Sequence, residues 1–262
     1  MLRKIVKFIA RYIYALLSCL YLFTFGFFKA RHRKIISDIC THFGYTDTPG
    51  EIVIPQIAMS DVVPEETPIQ LRQPNEKDGN ISTKELIIIN KLIKLKNPKA
   101  LFEIGTFDGR LSLNMAANTS EEAKVYTLDM KQQSLNSTKL RIEAGDRAFI
   151  NKEEIGLRYK GTDCEKKITQ LYGDSATFDF SPYYNGMDFV VVDGSHSYEY
   201  ALNDSKIALK LLRGGKGVIF WHDYGSPTWP GVTQGLNELF LLTKDFKGLQ
   251  YIEGTSLVYL NI

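Results

Sequence analysis

Residues 188–224, DFVVVDGSHSYEYALNDSKIALKLLRGGKGVIFWHDY, carry the pattern that decides the fold. Two apolar, β-branched runs each end in an Asp paired with a His. FVVVDGSH places Asp193 and His196 after the first run, and VIFWHDY places His222 and Asp223 after the second. An amphipathic helix pattern, Tyr200–Leu212, separates them and closes at Gly214 and Gly215. A strand–helix–strand crossover of this kind makes the two strands parallel and buried on both faces. If they are neighbours, their carboxyl ends lie about 4.8 Å apart. Ligands of open parallel sheets bind at that edge. The chain has four His, and two of them fall here.

Working outward, the same alternation continues. Ser82-Thr-Lys-Glu85 has the form of a capping box that opens a helix through about Leu95. Ala100–Gly105 (ALFEIG) reads as a short buried strand, Arg110–Asn118 as a helix and Ala123–Met130 (AKVYTLDM) as a second strand. A polar helix is expected within Gln132–Ile150, and a weaker third strand over Ile168–Tyr172 before Gly173-Asp174-Ser175. Val232–Leu242 reads as a helix. Gln250–Glu253 and Ser256–Asn261 are too close for a crossover, so they pair antiparallel. The expected fold class is α/β: a doubly wound, mostly parallel, seven-stranded sheet with an antiparallel C-terminal hairpin.

The loop after the first strand, Glu103-Ile-Gly-Thr-Phe-Asp-Gly109, holds a glycine turn at Gly105 that lets a ligand approach the backbone. It is not a dinucleotide fingerprint, because Phe107 and Arg110 stand where the second and third glycines belong. Glu103 and Asp108 suit a ligand with an ammonium or sulfonium group better than a pyrophosphate. Asp129 ends the second strand, where a carboxylate can accept both hydroxyls of a ribose.

Three further features bound the organisation. Cys19, Cys40 and Cys164 are odd in number and widely spaced, which argues for a reducing compartment. The net charge of +2 hides an asymmetry: the first 34 residues hold eight Lys/Arg (Arg3, Lys4, Lys7, Arg11, Lys29, Arg31, Arg33 and Lys34) and no acid. The rest keeps 24 basic residues against 30 acids, a balance of −6. A net positive charge is thus absent from the domain a nucleic acid would contact, and no nucleic-acid partner is expected. Tyr12–Phe28 is uncharged and apolar, at the short end of the roughly 17–25 residues that span a bilayer. An anchor and an interfacial helix both fit it. A connector rich in Pro (Pro49, Pro55, Pro64, Pro68, Pro74) follows, in which EIVIP and DVVP are short apolar pieces able to dock as edges or lids. The expected divisions are 1–34, a basic apolar membrane-associating arm; 35–80, a helical and Pro-rich connector; and 81–262, the main domain.

The stretch from about Asp78 to the C-terminus resembles the class I S-adenosylmethionine-dependent methyltransferases. EIGTFDGR looks like their first motif, TLDM like their acidic strand end, and GDS like their adenine-side loop. VVDGSHSYEYALNDSKIALKLLRGGKGVIFWHDYG resembles the branch of macrocin-type sugar O-methyltransferases and cephalosporin-hydroxylase-like proteins. The resemblance implies that Glu103, Gly105, Thr106, Phe107 and Asp108 line the methionine end of S-adenosylmethionine. It puts the ribose on Asp129, with Met130, Asp174 and Ser175 near the adenine. It also implies a divalent metal, Mg²⁺ or Mn²⁺, at Asp193 and Asp223, with His196 as catalytic base. Relatives often carry an acid where this chain has His222; its imidazole as third ligand tilts preference toward Mn²⁺, Fe²⁺ or Zn²⁺. The expected activity is metal-assisted O-methylation of a sugar, glycan or polar metabolite. A donor from the cytosolic pool puts the catalytic domain of a membrane-associated chain in the cytoplasm. Alternatives are a membrane-tethered module that binds the cofactor without transferring its methyl, and, less favoured by Phe107 and Arg110, an NAD-dependent dehydrogenase. The acceptor and the oligomeric state, homo-oligomer included, are not encoded in any motif.

Overall fold

The computed structural model describes residues 2–29, 32–33, 35–36, 39–40, 51–150 and 154–262. Arg31, Lys34 and residues 41–50 of the connector, with Pro49, lie outside them. The chain divides into two compact units, Met1–Thr48 and Pro49–Ile262.

The first unit contains helix α1, Leu2–Thr24. At 1.5 Å per residue its 23 residues extend about 35 Å. Ile5–Thr24 has a mean hydropathy of 1.6, so it is long and apolar enough to cross a bilayer. Its large side chains, among them Phe8, Tyr12 and Tyr14, are exposed.

In the second unit the pattern of β-branched runs produces an eight-stranded sheet: β1 Gln56–Ile57, β2 Ala100–Ile104, β3 Lys124–Asp129, β4 Ile168–Tyr172, β5 Phe189–Val192, β6 Val218–Trp221, β7 Gln250–Ile252 and β8 Val258–Asn261. The order is β1-β7-β8-β6-β5-β2-β3-β4. Strands β2 to β6 run parallel, and β8 is antiparallel to β6 and β7. The doubly wound sheet with its antiparallel end is therefore present, with one strand more than expected. The addition is β1, two residues parallel to β7, tied by Tyr251 N donating to Pro55 O at 2.8 Å. It is too short for an alternating pattern to reveal. The EIVIP and DVVP pieces do dock, with Ile54 and Val63 buried.

Helices α2 (Met59–Val62), α3 (Thr83–Lys96), α4 (Arg110–Ala117), α5 (Asp146–Ile150), α6 (Tyr198–Leu211) and α7 (Pro230–Leu242) complete the unit. Side chains alternate across the strands. Leu101, Phe189, Val191, Val218 and Phe220 therefore pack with Leu86, Ile89 and Ile93 of α3 and Leu113 of α4. Phe102, Val190, Val192, Ile219 and Trp221 face Ala208 and Leu211 of α6 and Leu236 and Leu239 of α7. The polar helix expected to cover some of Gln132–Ile150 is the short α5, after a 3-10 turn over Gln132–Ser137. The segment lacks an apolar stripe at helical spacing and is interrupted by Gly145.

Helix α3 opens with the expected capping box: the Ser82 hydroxyl accepts from Glu85 N, and Glu85 accepts from Ser82 N at 3.0 Å. Ser82→Ala should cost about 1 kcal/mol, seen as a melting-temperature drop of about 2–4 °C by differential scanning calorimetry.

Candidate active site

The chain leaves β2 for β3 and β4 on one side and returns to β5 and β6 on the other, so β2 and β5 flank the switch point. Gly105 sits there with φ +103°. A Cβ at Gly105 would overlap the carbonyl oxygen of Asp193, so only glycine lets the two loops touch. Phe107 also adopts a left-handed φ, +50°. The Asp129 carboxylate holds it there, accepting from Phe107 N and Met130 N, each at 2.7 Å. Asp129 thus clamps the glycine loop to the end of β3. Thr106 shares a hydrogen bond with Thr127 at 2.6 Å and accepts from Gln170 at 3.0 Å.

The negative charge expected of this loop is largely cancelled by the chain itself. Asp108 is buried in an ion pair with Arg158 at 2.6 Å and accepts from Asn80 Nδ2 at 3.0 Å. Burial lifts the Glu103 carboxyl to about 8, although Ser112 and Thr127 both donate to its Oε2. Its Oε1 is buried without a partner. A cleft of about 280 Å³ opens beside Gly79, Glu103, Gly105, Phe107, Asp108 and Asp193. An unpartnered carboxyl oxygen beside a glycine cradle fits the ammonium of S-adenosylmethionine. On the β4 side, Met130 is buried. Asp174 accepts from Tyr200 Oη at 2.7 Å, Ala176 N at 2.9 Å and Lys139 N at 3.2 Å. The Ser175 carbonyl takes Asn203 Nδ2 at 3.3 Å. Asp174 and Ser175 therefore fix a wall from groups already paired within the protein.

The strand register sets the second half of the site. Val192 lies opposite Trp221, so Asp193 and His222 leave adjacent strands side by side. His222 Nδ1 is 3.1 Å from Asp193 Oδ1 and 2.9 Å from Asp223 Oδ2, and its Nε2 is 3.3 Å from Glu85 Oε2. His196 Nε2 is 2.9 Å from Asp223 Oδ2, and its Nδ1 bonds Asp146 Oδ1. Two imidazoles and four carboxylates thus alternate from α5 to the cap of α3. Burial alone would lower both histidines. Hydrogen bonds that His196 donates to Asp146 and Asp223 push it up to about 10, and the charges of Asp223 and Asp193 hold His222 well above its ordinary value. Burial raises Asp193, whereas the two histidines hold Asp223 well below the usual carboxylate range despite its burial.

Ligand atoms of Asp193, His196 and Asp223 all lie within 4.8 Å of one another. Two carboxylates with imidazole nitrogens beside them form a donor set suited to a borderline divalent cation. His222 stands between the same two carboxylates. Trp229, on the loop before α7, stacks on His196 at 4.1 Å and 17°. Asp146 and Glu85 complete the cluster without having been singled out as site residues. Glu85 is legible in sequence only as a helix cap, and nothing in the polar stretch around Asp146 marks it.

Known proteins bear on this geometry. A family model described as a methyltransferase domain matches residues 102–224. A protein of Arabidopsis thaliana named as a candidate caffeoyl-CoA O-methyltransferase is 26% identical over 174 residues, covering 62% of this chain and 67% of its own length. An uncharacterized protein of Acanthamoeba polyphaga mimivirus is 30% identical over 149 residues, covering 55% and 60%. This chain thus spans about two thirds or less of those relatives. Among solved structures, the O-methyltransferase TomG of Streptomyces achromogenes, in complex with S-adenosylmethionine, aligns with a TM-score of 0.47 at 15% identity, over 72% of this chain and 92% of that one. Residues 102–224 are thus a methyltransferase domain by that match.

Proposed function

We propose that the chain is a metal-assisted O-methyltransferase whose acceptor is a hydroxyl of a sugar, glycan or other polar metabolite. The observation that carries this reading is the meeting of Asp193, Asp223 and His196, with the Asp193 backbone against Gly105. Asp193 would hold its carboxylate next to the methyl donor, since its backbone touches Gly105. Asp193 and Asp223, with His222, would hold a divalent cation, whose Lewis acidity lowers the pKa of a hydroxyl bound at it. S-adenosylmethionine supplies a methyl on sulfur: a C–O bond forms, the C–S bond breaks, and the hydroxyl proton must leave. His196 is placed to take that proton at Nε2. It can do so only once Asp223 is engaged elsewhere, because the present contact keeps Nε2 protonated. Trp229 over its face keeps water off the ring.

Calorimetry of the full chain with S-adenosylhomocysteine is the first test; no heat of binding at millimolar ligand ends the reading. A labelled-methyl assay against polar metabolites and glycans, with and without Mn²⁺ and a chelator, then tests metal and acceptor. Binding with no acceptor found would favour a tethered, non-transferring module.

We further propose that the first 34 residues hold the enzyme at a membrane with its catalytic domain in the cytoplasm. Exposed Phe8, Tyr12 and Tyr14 on α1 support this, with Lys7 and Arg11 placed to reach head groups. The full chain should float with liposomes containing anionic lipid, and a chain lacking residues 1–34 should stay in the supernatant. Equal flotation of both would reject the anchor.

A further inference from the structure

We propose that Asp146 is a positioning residue that fixes the tautomer of His196 and aims its Nε2 into the site. The inference rests on the reading of His196 as the proton acceptor. Asp146 is 3% exposed, and its hydrogen bonds go to one place. Oδ1 takes His196 Nδ1, while Oδ2 accepts from Ser195 Oγ at 2.7 Å and His196 N at 3.0 Å. The carboxylate therefore grips the ring and the backbone that carries it. A neutral imidazole has one N–H and one lone pair, and the partner of one nitrogen decides the role of the other. With the Nδ1 proton held by Asp146, the lone pair of a neutral His196 must sit on Nε2. Nε2 is the nitrogen that points at Asp223, within the cluster that Asp193, His196 and Asp223 form. A ring without this clamp could present N–H to the acceptor instead, and the proton would have nowhere to go.

The element carrying Asp146 is built for placement. Gly145, just before α5, leaves space for Trp229, because a Cβ there would overlap the indole. That indole stacks on His196. Phe149, on the same short helix, meets Trp229 at 6.3 Å and Phe107 of the glycine loop at 5.8 Å. His196 is thus held at both nitrogens and on one face, by Asp146 of α5 and by Asp223 and Trp229 of the loop between β6 and α7.

Side-chain nitrogen NMR of the full chain, with labelled histidine and the His196 signals assigned by their loss in His196→Gln, tests this without any acceptor. In the wild type, Nδ1 of His196 should carry a proton strongly shifted downfield by the carboxylate. Asp146→Ala should lose that signal while affinity for S-adenosylhomocysteine holds, with the melting temperature lowered by the loss of a buried partner of His196. If Asp146→Ala fails to fold, Asp146→Asn should move the signal upfield, since a neutral amide is a weaker acceptor. Asp146→Glu should restore it in part. With an acceptor in hand, Asp146→Ala should lower kcat by about 10²-fold and leave KM unchanged. An Nδ1 proton signal unchanged in both Asp146→Ala and Asp146→Asn overturns the proposal, as does a loss confined to stability. Failure of the wild type to bind S-adenosylhomocysteine would instead reject the enzymatic reading and leave the tautomer result standing.

Discussion

Gly105→Ala should abolish binding of S-adenosylhomocysteine and lower the melting temperature by about 10 °C, in line with a cost of about 3 kcal/mol or more. Two effects add. At φ +103° an L side chain is strained, by roughly 1–2 kcal/mol in the left-handed region. The new Cβ also overlaps the Asp193 carbonyl, and relieving such an overlap typically costs about 1–3 kcal/mol. The loops after β2 and β5 cannot part freely, since Asp193 N donates to Ile104 O at 2.8 Å and Gly105 N to Leu128 O at 2.8 Å. Any relief moves Asp193, so the change strikes both halves of the site at once. Calorimetry and thermal melting check it; a variant that binds like wild type would show that the cofactor lies elsewhere.

Asp223→Ala should lower methyl transfer by about 10²–10⁴-fold and leave S-adenosylhomocysteine affinity intact. The Asp223 carboxylate touches both His196 and His222, at 2.9 Å each, but does not line the cleft around Gly105. Its removal takes one carboxylate from each of two rings with 13–14% side-chain exposure, which keep Asp146 on one side and Asp193 and Glu85 on the other, so the cost is part of the roughly 3–5 kcal/mol of a fully broken buried pair. The melting temperature should fall accordingly. Asp223→Asn, which keeps the volume, should recover part of the stability without recovering turnover. Calorimetry with Mn²⁺ should show binding lost in both variants. Turnover that survives either substitution would remove Asp223 from the chemistry.

Most of the sheet was legible because parallel inner strands are continuous β-branched runs, as in FVVV and VIFW, bounded by glycine and Asp. The edge strand Gln56–Ile57 was not, because two residues have no periodicity. Within the site, Asp193, His196, His222 and Asp223 could be grouped because adjacent parallel strands bring their exits together whatever the side-chain detail. Long-range clamps are a different matter. Arg158 neutralises Asp108 across 50 residues of chain, and Asp146 reaches His196 across another 50. Asp108 reads in sequence as a cofactor-side acid and Asp146 is unmarked, since Arg158 and Asp146 both lie on the irregular crossover between β3 and β4. Glu85 shows the limit from the other side: its capping role is local and readable. Its contact with His222, 137 residues away, depends on how α3 docks against the sheet edge.

The most direct test is a crystal of the full chain grown with S-adenosylhomocysteine and Mn²⁺, read by anomalous scattering from the metal. One manganese peak within about 2.5 Å of oxygens from both Asp193 and Asp223, with the cofactor's amino-acid end against Gly105, is the predicted result. Cofactor density away from the β2–β5 switch point, or a manganese peak that touches neither aspartate, would contradict it.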